Sequence, residues 1–362
     1  MQTDPYVWKG PLDSLLAYGL SGLFKGWGLA PEDAIAVWSV LAGVIFVAAA
    51  GSIARTLGRD RREAWVYLTA LLASGSSLLW FGHVENYSLV TAASVASTAL
   101  ALAYLRGRVP LWSVGVTAGA AAAFHPQAAF GFAGLLALVD WSGLRQGKPG
   151  RWLRQGLELG ISGAVVPALT VIALLGLGVP LPGGGGNGTG APGGEMQIFW
   201  MPWEALAPQR LWDALVNLWL AAPLLPWLAV GIGLALFSPR PTLLGTRPTL
   251  LGARPTLLGA RLRRDRTFAY FTLAGLGMLA YHFSFQNELA RPRDWDLFAI
   301  VGPYVTLWGL WGWSSMHNAQ SPMHVGKPIP NPQSLSPNPQ SPISTPGSGS
   351  PLPSSSPWPG SA

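Results

Sequence analysis

Only 11% of this 362-residue chain is charged, and the groups that could do acid–base or anion chemistry gather in three short stretches. The first is FGHVENY, residues 81–87, which sets His83, Glu85, Asn86 and Tyr87 in one tight turn between two apolar runs. A carboxylate beside an imidazole can take up and hand on a proton, while an amide and a phenol orient a substrate by hydrogen bonds. The same residues also serve as caps on helix ends. The second is His125, followed by Pro126 and Gln127. Proline breaks a helix interior, so His125 stands where backbone groups are released, to satisfy them or to meet a ligand. The third is ELARPRDWDLF, residues 288–298, with Glu288, Arg291, Arg293, Asp294 and Asp296. Arginine presents a planar donor fork that matches phosphate. The carboxylates suit a base, a metal ligand or a partner for arginine, and Trp295 suits a membrane interface. His282, at the end of the preceding apolar run, joins this group. The Gly-rich stretch 181–194 lacks a following Lys-Ser/Thr, which excludes a phosphate-cradling loop.

The elements that must position these residues are apolar. Half of the residues are hydrophobic, and runs of about 20 uncharged residues have the length a helix needs to cross a bilayer. Nine such passes are expected: 34–54, 64–82, 84–105, 109–125, 126–141, 157–179, 211–237, 267–285 and 297–313. The run 109–141 counts as two because His125-Pro126 divides it. Trp38, Trp65, Trp80, Trp112, Trp141, Trp212 and Trp313 fall near run ends, where an aromatic belt forms. The fold class is therefore all-α, a polytopic transmembrane bundle. The chain has no Cys, which excludes disulfides and Cys-based metal sites.

The loops assign two faces. Segments 55–63, 106–108, 142–156, 238–266 and the C-terminal tail carry 18 of the 23 Lys and Arg residues. The positive-inside rule places that face in the cytoplasm, with the C-terminus, and the three polar stretches at the outer face. The formal charge of +7 thus reflects topology, and no nucleic-acid partner is called for. Residues 1–33 form an outer segment, in which 12–27 reads as an amphipathic interfacial helix with Leu12, Leu15, Leu16, Leu23 and Trp27 near one face. Residues 34–313 form the transmembrane domain. It includes the Gly-rich outer loop 180–210 and the basic loop 238–266, where three RPTLLG heptads follow one another over 240–260. Residues 314–362 form a Pro/Ser-rich tail expected to be disordered. Arg outnumbers Lys 19 to 4, which points to GC-rich coding and a bacterial inner membrane.

FGHVENY, the histidine at the mid-chain break and RDWDLF before a late pass resemble bacterial multi-pass proteins of the GT-C superfamily, over roughly residues 10–313. These are glycosyltransferases that take a sugar from a polyprenyl-phosphate carrier. The resemblance implies that Arg291 or Arg293 holds the leaving phosphate. Glu85 would act as base or positioning group, and His83, Asn86, Tyr87, His125, Asp294 and Asp296 would orient substrate or pair with arginine. It also implies a helix and an acidic outer-loop motif ahead of the first residue, to which Asp4 is the nearest carboxylate. No organic cofactor is expected, a divalent metal stays open, and the partners are the bilayer and the lipid-linked donor. A transporter or flippase for a lipid-linked or anionic solute, or a non-catalytic scaffold, is the alternative. No charge lies in mid-pass, which weighs against ion-coupled transport.

Overall fold

The computed structural model describes residues 10–28, 30–80, 87–142, 150–179, 206–226, 265–284 and 298–320, with Val7 and Leu228. All regular structure among them is helical. The α-helices are α1 Pro11–Gly26, α2 Pro31–Leu57, α3 Arg61–Leu72, α4 Tyr87–Leu105, α5 Leu111–Phe124, α6 Gly150–Gly176, α7 Pro208–Ala221, α8 Arg266–Ser284 and α9 Val301–Gln320. Two 3₁₀ segments, Gly75–Trp80 and Pro126–Leu138, complete the set. Proline opens α1, α2, α7 and the longer 3₁₀ helix, a position where its missing N–H costs no helix bond.

Among the described residues, three helices are long and apolar enough to cross a membrane: Ala36–Leu57 within α2, α4 and α6. Their outward faces are greasy. Val40, Val44 and Val47 of α2 and Leu157, Ile161, Leu169 and Ile172 of α6 are all exposed. The interior is largely apolar but also takes in hydroxyls, as α4 turns Ser88, Thr91, Ser94, Ser97 and Thr98 inward. Small and hydroxyl-bearing residues let membrane helices approach closely and bond to one another's backbone. At the crossing of α5 and α6, a Cβ on Gly119 would lie 2.1 Å from the carbonyl oxygen of Gly163.

The longer 3₁₀ helix is the unusual element, because such runs seldom exceed three or four residues. Its sequence supplies a reason. Ala128, Gly131, Gly134 and Ala137 recur every third residue, and all four are buried. A 3₁₀ helix has three residues per turn, so this stripe runs straight along one side. It lies against α8 and α9. A Cβ on Gly134 would meet Ala274 at 2.8 Å, and one on Gly131 would meet the Tyr304 hydroxyl at 3.0 Å.

Two expected passes are interrupted. The run 64–82 is helical only to Leu72 and then turns through Ser74 into the 3₁₀ segment 75–80. Serines hold that irregular stretch: Ser39 donates to its Leu79 carbonyl (3.2 Å), and its own Ser76 donates across to the Ala299 carbonyl (2.6 Å). Trp80 is drawn inward against Phe46, with ring centroids 4.2 Å apart, rather than standing in an interfacial belt. The run 211–237 is helical to Ala221, breaks at Ala222–Leu224 around Pro223, and is helical again at Leu225, Pro226 and Leu228; residues 229–264, with the heptads, lie outside the described residues.

Hydrogen bonds sort the helix ends into two sets. At one end Arg266 donates to the Ala137 and Leu138 carbonyls, Trp311 donates to Asp265 (3.2 Å), Ser314 donates to Glu63 (2.5 Å), and Gln155 donates to Tyr104 (3.1 Å). Arg55, Arg59, Arg62, Arg106 and Arg151 belong to this end. The other end gathers the start of α4, the end of α5, the end of α8 and the start of α9. Its described cations are Lys25 and Arg210. The charge asymmetry read from the loops is therefore an asymmetry between two ends of one bundle.

Candidate functional site

The cation-poor end holds Tyr87, His125, Gln127 and His282. His125 caps the 3₁₀ helix at the break after α5, where its Nδ1 accepts from the Gln127 N–H at 3.3 Å. An imidazole nitrogen that accepts is unprotonated, so in the neutral ring Nε2 carries the hydrogen. Tyr87, the first residue of α4, lays its ring 5.4 Å from that of His125. Two of the residues singled out in sequence are thus brought together from stretches 38 positions apart. Gln127 turns inward and accepts from the Tyr281 hydroxyl at 2.7 Å.

His282 belongs to the packing. It is fully buried, and its Nε2 lies 2.7 Å from the Ala214 carbonyl oxygen. A carbonyl can only accept, so Nε2–H donates. The bond ties α8 to α7, and the Phe298 ring packs 4.7 Å away.

A carboxylate not singled out in the sequence completes the group. Asp13, in the first turn of α1, is buried among the residues of that helix that face the bundle. The close approach that holds it there is at Gly10. The point where a Gly10 Cβ would stand lies 2.9 Å from the Phe124 carbonyl oxygen and 3.6 Å from the Asp13 Cβ. The start of α1 is therefore laid on the residue preceding His125. Burial pushes the Asp13 carboxyl up to about 6, since loss of hydration disfavours the charged form. The face of α1 that meets the bundle carries Asp13 and Phe24, while Leu23 and Trp27 are exposed. The expected apolar face is thus divided.

Comparison with family models, with curated proteins and with solved structures finds no match. Asp4, His83, Glu85, Asn86, Glu288, Arg291, Arg293, Asp294, Trp295 and Asp296 lie outside the described residues, as do the Gly-rich loop and the tail from 321. Among the described residues no group of His, Asp and Glu is arranged to hold a metal. What they offer is a desolvated carboxyl, an imidazole and a phenol at one end of the bundle. Such a set can accept a proton from a hydroxyl and orient the reacting oxygen.

Proposed function

We propose that this protein is a membrane glycosyltransferase of GT-C type, moving a sugar from a polyprenyl-phosphate donor to an acceptor hydroxyl at the outer face of a bacterial inner membrane. The observation that carries the reading is Asp13, a buried carboxylate beside the His125 break with its proton affinity raised toward neutrality. A base works best when its pKa lies near the working pH. In this reading Asp13 takes the acceptor proton and the freed oxygen attacks the anomeric carbon. The bond from that carbon to the phosphate oxygen breaks, and the lipid phosphate leaves with the electron pair. Arg291 or Arg293 stabilises the charge that grows on it. Tyr87 and His125 orient the acceptor, with Glu85 as the alternative base and His83, Asn86, Asp294 and Asp296 as positioning groups.

The test is transfer in proteoliposomes of the full chain, with radiolabelled polyprenyl-phosphate sugars and membrane-extract acceptors. Product formation that falls at least a hundredfold in both Asp13→Asn and Arg293→Ala is the expected result. Wild-type turnover in either variant removes that residue from the mechanism. A second reading, a transporter or flippase, draws on the inward hydroxyls of α4. It requires solute or lipid translocation with no new glycosidic product in the same vesicles.

A further inference from the structure

Two primary amides are buried beside the last turns of α8. Asn217 on α7 is 1% exposed, and neither its Oδ1 nor its Nδ2 has a hydrogen-bond partner. Gln127 gives its Oε1 to Tyr281, while its Nε2 is buried with no partner. Gln127 thus stands on the Tyr281 side of α8 and α7 on the His282 side. Helix carbonyls point toward the C-terminus, so the Ala214 oxygen that binds His282 lies at the level of Asn217 and Leu218. Phe298 lies over both α8 rings, 5.7 Å from Tyr281 and 4.7 Å from His282.

An amide with donor and acceptor both turned inward is costly in a bilayer, where backbone and side chains alone must satisfy it. Roughly nine-tenths of buried polar groups in folded proteins have a partner, from protein or ordered water. A Leu would fill the same space at no such cost, so an Asn here needs a ligand. The ligand must both donate and accept, carry no charge and be small enough to be enclosed. Water meets these conditions, and buried waters bind such groups through about three hydrogen bonds each.

We propose that Asn217 anchors a buried hydration site between α7 and the end of α8. The site is independent of the glycosyltransferase reading. It fixes the short helix α7, which ends at Ala221, to the long helix α8 through a bound water as well as through the His282 bond.

The experiment is radiolytic hydroxyl-radical footprinting of the full chain in nanodiscs, repeated in ¹⁸O-labelled water. Radicals form from a bound water in place, so a side chain touching it is oxidised even when bulk solvent is excluded. Phe298 and Phe46 are both fully buried, and Phe46 serves as the dry reference. Phe298 is expected to oxidise severalfold faster than Phe46, with slow ¹⁸O uptake, and Asn217→Leu is expected to abolish the difference. Equal rates in the wild-type chain overturn the proposal, as does a difference that persists in Asn217→Leu. Should that variant fail to fold, the wild-type rates alone decide.

Discussion

Gly10 is pressed so close to Phe124 that a single added methyl would lie 2.9 Å from the Phe124 carbonyl oxygen. Backbone on the far side of that contact cannot swing away as a flexible side chain would. Gly10→Ala should therefore lift the first turn of α1 from the end of α5, at a cost of roughly 1–3 kcal/mol. A thermal melt in nanodiscs reads this directly. An unchanged midpoint would show that α1 is not held at this point.

Asp13 gives a pH signature with a definite sign. Its folded carboxyl titrates at about 6, against an ordinary value of 3.8. Between those values the folded state binds more protons than the unfolded one, so stability falls as pH rises through the window. Asp13→Asn removes the penalty. The variant should match the wild type at pH 4 and exceed it at pH 8, by up to about 3 kcal/mol. If Asp13 is the base, the same variant is more stable and inactive. Melting both proteins from pH 4 to 8 checks the first half, and the transfer assay checks the second.

Glu63 behaves in the opposite way at the other end. Burial pushes its pKa up, but hydrogen bonds from Arg59 and Ser314 outweigh this and hold it below the ordinary value of 4.5. A depressed carboxyl contributes stability above its unfolded pKa and loses it as pH falls through the folded one. Glu63→Gln should lower the melting midpoint at pH 7 and weaken the wild-type loss on acidification below 4.5. The two windows share only the range from 3.8 to 4.5, and their effects there have opposite sign. Ser314→Ala tests the link from α3 to α9 alone; a pH profile like that of the wild type would sink it.

The absence of Cys makes the two-ended arrangement easy to test. Tyr18 and Arg62 are exposed at opposite ends of the bundle. With a membrane-impermeant maleimide on intact cells, Tyr18→Cys should label at once and Arg62→Cys only after permeabilisation. Labelling of both before permeabilisation would contradict a bundle that spans the membrane between them.

Much of this fold was legible because bilayer chemistry leaves few options. The described parts of the uncharged runs are largely helical, the His125-Pro126 break falls where it is expected, and the described arginines other than Arg210 gather at one end. The break in 64–82 was harder to see. Ser74, Gly75, Ser76 and Ser77 announce it, but hydropathy averages over such a stretch, and what stabilises the turn is bonds from Ser39 and to Ala299. Asp13 escapes pattern reading for a related reason. Pattern reading assigns an acid on an amphipathic helix to the wet side, and only the approach of Gly10 to Phe124 turns that side toward the bundle. His282 groups in sequence with the arginine-rich stretch, yet its bond is to Ala214, 68 residues away, a pairing that local pattern does not carry.

The 3₁₀ helix 126–138 has a mechanical consequence. At about 2.0 Å per residue its 13 residues reach roughly 26 Å, where an α-helix of the same length would reach about 20 Å. A change of winding would shorten it by about 6 Å and twist the alanine–glycine stripe off α8. His125 at one tip and Asp140 beyond the other are thus kept apart by a strut whose length is set by its neighbours. The depth at which the His125 site sits is a property of that strut, and one inserted residue between Ala128 and Ala137 would reset it.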